Sequence, residues 1–479
     1  MNKPFAYIFL SFIIGYSLSF CDNNFAQRRV VHEYNNSKTK RPLGAGAFGK
    51  VYEFTHEKVT YAVKEIRVRL SDHSLIKLKN KRCGSDESKI AIANAAIAEV
   101  DGIIKRSPSV YKNSLPTFKS IYKHFRKVED LPEFEEKIAL DYYAKMKSLI
   151  EHLEKEITIN KLISTEPDKK TKTFDYKFHF CAQVDGLNYM IFQEKNEYSL
   201  NSHYLLDRLK RWRIDERAHF YVDLFKQLHA LHELGIVHCD LKEDNVMMKS
   251  RYSRAATFID FGIGEIKSYC NGGTKGYMAP ELYKTIPPSK DETLRFKADV
   301  FSMGVIVANL EVRREMPDVD VSLSIAKVVS ENENDFPNKE HLVFDIVDLL
   351  LHITGSMKPS SSETNINEDT LSEFNKKFLE CIHGLLNFDM ATRWNSKNAY
   401  LKFWQLYQLS RLLHDSKDVF ERAVNQLDNY LKKNHPLEAK LTELPMETFS
   451  LANFDFETTR KEQIIDKRLG EGNQLKTII

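Results

Sequence analysis

The chain has 479 residues and a mass of 55.7 kDa, is 42% hydrophobic, and sets 70 Lys and Arg against 67 Asp and Glu for a formal net charge of +3. This length and apolar content suffice for sizeable cores in a two-lobed domain with extensions. The near balance of charge leaves no overall field that would recruit nucleic acid. Lys3 opens a run from Phe5 to Phe20 that is apolar or small throughout and is followed by Cys21, Asp22 and Asn23. That pattern predicts a secretory signal peptide over 1–21, too short for a stable membrane span, with an uncleaved signal anchor as the alternative. The mature chain is then expected to begin near Asp22, as a monomer without a membrane span, secreted or in the secretory pathway lumen. The six cysteines (21, 83, 181, 239, 270 and 381) are widely spaced with no CxxC pair, which argues against a zinc site and against a disulfide framework.

After an extension over 22–39, the segment Leu43 to Val51 places Gly44, Gly46 and Gly49 just before a strand that starts at Val51. Glycines allow the backbone to approach phosphates closely with its N–H groups aimed at them. A strand follows this loop, where a dinucleotide loop would be followed by a helix. Thr60 to Ile66 reads as a second strand, carrying Ala62, Val63 and Lys64. Residues 67–131 are lysine-rich, with helix-like pieces at 89–105 and 116–127, and read as an insertion whose role the sequence leaves open, a solvated surface extension being the plainest reading. From Pro132 and Glu133 to Ile163, the residues Phe134, Ile138, Met146, Leu149, Leu153 and Ile157 recur at helical spacing. Two strands follow, Phe178 to Val184 and Leu187 to Phe192, and then a helix over Asp215 to Glu233 with Phe220, Leu224, Leu228 and Leu231 on one face. Gly235 ends that helix.

The stretch Ile236 to Asn245 then brings His238, Asp240, Lys242 and Asn245 together among apolar Val237, Leu241 and Val246. This spacing predicts a loop pinned by its apolar members, with its polar members turned to one pocket. Asp260-Phe261-Gly262 comes fifteen residues after Asn245, followed by Gly272 to Glu281, Asp299 to Gly304 and Arg393. Between 311 and 380 the pattern is weaker, and Lys358 to Asn367 reads as a mobile polar loop. Ala399 to Lys432 reads as two helices, and Pro445 to Ile479 as a tail that wraps the domain or is partly disordered.

Taken in order from Gly44 to Arg393, these motifs resemble the eukaryotic protein kinases, and Lys242 and Thr274 match the serine/threonine branch. The resemblance implies an α+β, two-lobed protein-kinase-like fold with a small β-rich N-lobe and a mainly helical C-lobe. The N-lobe would span 40–195 with the insertion at 67–131, the C-lobe 196–413, and a helical extension and tail 414–479. It also implies a protein substrate with a Ser or Thr acceptor, with ATP and Mg2+ as cofactors. Asp240 would be the base that takes the hydroxyl proton, Lys242 would stabilise charge on the transferred group, and Asn245 and Asp260 would hold magnesium. Gly44, Gly46, Gly49, Val51 and Ala62 would line the nucleotide. Lys64 would meet its phosphates, paired with Glu156, or with the rival Glu99. Phe192 would guard the back of the adenine pocket, and Gln193, Glu194 and Lys195 would form the hinge. His238 would be structural, near Phe261, while Glu281 would pair with Arg393 and Asp299 would brace the catalytic loop. Cys239 stands where most of the family has arginine, so it cannot read a phosphate on the activation segment unless another base such as Lys267 takes that role. This implies a kinase independent of such phosphorylation. The alternatives are a pseudokinase scaffold and a small-molecule kinase of similar fold.

Overall fold

A computed structural model describes residues 25–46, 49–127, 132–165, 177–250, 253–283, 294–331, 338–355 and 357–434. The signal peptide expected over 1–21 and the tail expected over 445–479 lie outside these residues. Chain contacts group the described residues into two units, one within 25–165, 177–196 and 260–264, the other within 197–259 and 265–434. The first is built on a sheet and the second is mainly helical, so the chain is α+β.

In chain order the first unit holds α1 (Phe25–Asn36), β1 (Arg41–Gly46), β2 (Gly49–His56), β3 (Val59–Arg67), α2 (Asp72–Cys83), α3 (Glu87–Arg106), α4 (Leu115–Arg126), α5 (Glu133–Ser164), β4 (Phe178–Gln183) and β5 (Asn188–Glu194). The strands form one antiparallel sheet in the order β1-β2-β3-β5-β4. Side chains alternate across it, so each face needs its own cover. On one face Val30 and Tyr34 of α1 bury Phe54, Tyr61, Val63, Phe180 and Phe192. On the other, Ile66, Cys181 and Ile191 join Leu153 and Ile157 of α5 in a larger core.

That larger core corrects the reading of 67–131 as a solvated extension. Ala93, Val100, Ile104, Phe118 and Tyr122 are buried in the same cluster as α5. Burial of each large side chain is worth roughly 1.5–3 kcal/mol. Their helices start on proper caps, with Ser71, Asp86 and Ser114 accepting from backbone N–H groups one turn on. Three tyrosine hydroxyls find partners inside: Tyr143 donates to the Val110 carbonyl at 2.7 Å, Tyr142 to Asp101 at 2.8 Å and Tyr122 to Glu135 at 3.0 Å. The inserted helices thereby become a platform that holds α5, which in turn carries Glu156.

The second unit holds β6 (Tyr198–Ser199), α6 (His203–Leu209), α7 (Ile214–Glu233), β7 (Ile236–Val237), β8 (Val246–Met248), β9 (Ala256–Phe258), β10 (Glu265–Ile266), α8 (Lys297–Glu315), α9 (Val321–Glu331), α10 (Glu340–Thr354), α11 (Glu368–Leu386), α12 (Ser396–Ser410) and α13 (Lys417–Asn434). Helix α8 is its axis, buried at every position from Lys297 to Arg314. Helix α7 packs on α12, with Phe225 stacked on Phe403 at 4.5 Å between ring centroids. Inside, Glu311 accepts from Arg217 Nε at 3.0 Å and from the Tyr221 hydroxyl at 2.6 Å. Arg217 Nη2 also donates to the Lys358 carbonyl at 2.7 Å, and Glu363 accepts from the Ile214 amide at 3.0 Å. Those bonds fasten the loop that the sequence reads as mobile. Among the described residues no helix is long and apolar enough to cross a membrane.

Candidate active site

In the first unit, β1 and β2 close a glycine-rich hairpin in which Gly46 pairs with Gly49. Gly49 has φ +156°, and a Cβ there would meet the Glu65 carbonyl oxygen at 2.1 Å, so β3 itself excludes any other residue. At Gly44 an added Cβ would meet nothing within 4 Å. Hence Gly49 is demanded by the sheet, whereas Gly44 keeps the hairpin's surface open.

Lys64 lies opposite Val51 on β2 and Ile191 on β5, so these three side chains share a face. Lys64 Nζ donates to Glu156 Oε1 at 2.7 Å and to Asp260 Oδ1 at 2.7 Å. Burial alone would discharge the amine, but the two carboxylates prevail and raise its pKa, holding it protonated. Asp260 has φ +62°, an uncommon conformation for a residue with a side chain. Glu99, the rival partner, is bonded instead to Arg106 at 2.9 Å.

The register corrects one expectation. Phe192 pairs with Val63, and both side chains enter the cluster under α1 with Tyr34 and Phe180. That is the face opposite Lys64. The position on the Lys64 face is Gln193, which pairs with Ala62. With Gln193 there, the connection out of β5 runs Glu194, Lys195, Asn196. The Glu194 amide donates to the Lys177 carbonyl at 2.8 Å, and Lys195 Nζ lies 3.1 Å from Glu53.

In the second unit the loop after β7 is held from beneath. Asp299 on α8 accepts from the His238 amide at 2.7 Å and the Cys239 amide at 2.9 Å, and His232 Nε2 lies 3.1 Å from the same carboxylate. His238 donates from Nε2 to the Ile259 carbonyl at 2.9 Å and sets its ring edge-on to Phe258. On this base the polar residues converge. Asn245 Nδ2 donates to the Asp240 carbonyl at 2.8 Å and to Oδ2 at 3.1 Å, and Lys242 Nζ lies 3.1 Å from that same Oδ2. The Thr274 hydroxyl donates to Asp240 Oδ1 at 2.6 Å and accepts from Lys242 Nζ at 2.9 Å. Glu281 accepts from Arg393 Nη1 and Nη2 at 2.8 Å each.

Two features escaped the sequence reading. Cys239 and Cys270 form a disulfide, with Cα atoms 5.3 Å apart. This corrects the reading of isolated thiols, while Cys83, Cys181 and Cys381 are buried and outside any disulfide. Spacing cannot reveal such a pair, because connectivity is set by the fold. The second is Glu243, fully buried, accepting from Asn309 Nδ2 at 2.5 Å and from the Tyr277 hydroxyl. Burial pushes its carboxyl up to about 7, against the hydrogen bonds from Tyr277 and Asn309.

The donor set suits a nucleotide with magnesium. In the first unit Asp260 offers a carboxylate and in the second Asn245 offers a carboxamide oxygen, each a hard ligand of the kind that Mg2+ takes alongside phosphate. Lys64 adds a fixed cation for phosphate oxygens.

Comparison with known proteins agrees. The family model described as "Protein kinase domain" matches residues 140–404, more than half of the chain. The match begins within α5, beyond the glycine hairpin and the inserted helices. The RGS domain-containing serine/threonine-protein kinase A of Dictyostelium discoideum is 27% identical over 134 residues, 27% of this chain and 11% of that protein. A serine/threonine-protein kinase-like protein of Arabidopsis thaliana is 34% identical over 131 residues, 26% of this chain and 36% of that protein. The chain thus spans about a third or less of these two relatives. A crystal structure of a kinase domain, PF14_0431, aligns over 75% of this chain and 92% of that chain at 16% identity, with a TM-score of 0.39.

Proposed function

The chain belongs to the protein kinase family, and from that premise we propose that it is an active serine/threonine protein kinase of the secretory pathway. The observation that carries the reading is the network in which Asn245, Lys242 and Thr274 all converge on the Asp240 carboxylate, with Lys242 also bonded to Thr274. Bound ATP with Mg2+ would supply the phosphoryl group and neutralise its charge. Asp240 accepts the proton of the substrate hydroxyl, oriented by Asn245 on one oxygen and Thr274 on the other. Lys242 places a cation beside that carboxylate to offset charge on the transferred group. Lys64, fixed by Glu156, would present a cation to the phosphate oxygens, and Asp260 and Asn245 would be the residues to hold magnesium. A threonine bridging Asp240 and Lys242, and the names of the relatives, support protein hydroxyls as acceptors.

Secretion is supported by the apolar run at the N-terminus and by the Cys239–Cys270 bond, since disulfides persist in oxidising compartments. Independence from activation-segment phosphorylation is supported by Cys239, which supplies no charge for a phosphate. Labelled ATP tests the activity: wild type transfers the γ-phosphoryl group to serine or threonine of a protein substrate, and Asp240→Asn lowers the rate about 10²–10⁴-fold. Equal transfer by both proteins, or none by wild type, sinks the reading. Phosphatase treatment leaves the rate unchanged, and sequencing of the mature N-terminus finds a start near Asp22.

A further inference from the structure

The segment after Phe261 runs alongside the catalytic loop, and what holds it there is unusual. Lys267 donates its amide to the Gly235 carbonyl at 2.8 Å, and Thr274 is bonded to Asp240 and Lys242. Of the residues from Lys267 to Gly273, Cys270 is the buried one, 6% exposed, while the others are half-buried or exposed. Its partner Cys239 is 7% exposed and adjoins Asp240. Cys239 is itself a fixed point. Its amide is bound by Asp299, and its φ of +68° is a conformation that persists only where the surroundings impose it. The segment meets this residue again at Gly273, where a Cβ would lie 2.8 Å from the Cys239 carbonyl oxygen and 2.9 Å from Met278 Cγ. Thr274 lies four positions beyond Cys270, a reach of at most ~14 Å, so the bond limits where the Thr274 hydroxyl can stand relative to Asp240.

A basic residue at position 239 would hold such a segment by non-covalent charge-assisted hydrogen bonds, to a phosphate on it where one is added. Cys239 holds it covalently. We propose that the Cys239–Cys270 disulfide is the positioning element that orders the activation segment for catalysis, so that phosphoryl transfer to protein requires this thiol pair to be oxidised. The inference rests on the kinase reading and adds its regulation. The switching step is thiol–disulfide exchange with a dithiol. The S–S bond breaks, each cysteine gains one hydrogen, and the dithiol is oxidised to its own disulfide, two electrons and two protons passing to the protein.

The test compares oxidised and dithiothreitol-reduced full-length protein, with the state of Cys239 and Cys270 checked by alkylation and mass spectrometry. Reduction lowers kcat/KM for a protein substrate about tenfold or more, while KM for ATP stays within about twofold, a split that general destabilisation would not produce. Reoxidation with oxidised glutathione restores the rate. Cys270→Ser stays at the reduced level under both conditions. Amide exchange over 268–276 also rises about tenfold or more on reduction, independently of activity. Wild type that keeps its kcat/KM with both thiols free, unchanged exchange over 268–276, or protein from an oxidising compartment that lacks the cross-link overturns the proposal. Absence of phosphoryl transfer in every state sinks the kinase reading alone, because the exchange measurement still decides whether the bond orders the segment.

Discussion

Lys64 in the first unit and Asp240 in the second are both held in place, but by different physics. Lys64 is set by charge: two carboxylates lie at 2.7 Å from a buried ammonium. Asp240 is set by a hydroxyl, a carboxamide and an ammonium above a covalent cross-link, with Asp299 bracing the backbone below. A buried ion pair is strongly destabilising when one partner is lost, because the other is left as an uncompensated charge. A disulfide is blind to charge and responds to reductant. The two regions should therefore fail under different insults, and the largest effects separate them.

Lys64→Met leaves Glu156 buried without its cation. The expected outcome is a loss of kinase rate of about 10²-fold or more, together with a stability loss of about 3–5 kcal/mol in urea unfolding. The double variant Lys64→Met/Glu156→Leu recovers most of the stability and none of the activity. A single variant as stable as wild type would show that charge does not hold this region. Phe192→Ala probes the same sheet from its other face. It empties a place among Tyr34, Tyr61 and Phe180, at a cost of about 3–5 kcal/mol. KM for ATP is unchanged in the Phe192 variant and shifts in Gln193→Ala. The reverse pattern would return Phe192 to the nucleotide side.

The Phe192 result shows where sequence reading stops. In a strand the side-chain period is two, so a register slip of one residue exchanges faces, and the strand's ends alone left that register open. Helix α5 was legible, with Pro132 at its start and apolar residues at helical spacing, and Glu156 came with it. The packing of 67–131 was not legible, because lysines on the outer faces of α2 to α4 dominate the composition while Ala93, Val100 and Phe118 do the burying. Helix α1 escaped for a similar reason: among its described side chains Val30 and Tyr34 are the buried ones, in a run that also holds Arg28, Arg29 and Glu33. The motifs around Asp240 could be read because a loop of that chemistry is contiguous. The disulfide beneath it joins positions 31 residues apart.

A smaller effect sharpens the second region. Glu243 is buried with its carboxyl pushed up to about 7, so the folded protein keeps a proton there that the unfolded chain, at 4.5, has lost. Between those values the native state binds more protons, and stability falls as pH rises, by up to about 3 kcal/mol. Denaturation midpoints at pH 5 and pH 8 should show this fall in wild type and a flatter profile in Glu243→Gln. Parallel profiles would mean that Tyr277 and Asn309 hold the group ionised.

The smallest expected effect bears most directly on how Lys64 is paired. Glu99 and Glu156 are both glutamates on helices of the first unit, and both fit the same family pattern by sequence. Their surroundings differ: the Glu99 side chain is 29% exposed beside Arg106 at 56%, whereas Glu156 is 5% exposed beside Lys64 at 11%. Water screens the first pair, and an exposed pair of this kind contributes about 0.2–1 kcal/mol. Glu99→Ala should therefore leave kcat intact and move the unfolding midpoint barely at all, while Glu156→Ala removes the partner that fixes the Lys64 ammonium and lowers kcat. Because α3 and α5 share one core, a fold-level defect in Glu99→Ala would depress stability as well as activity. A loss of kcat at unchanged stability in Glu99→Ala would instead make Glu99 the functional partner, with Glu156 a structural one.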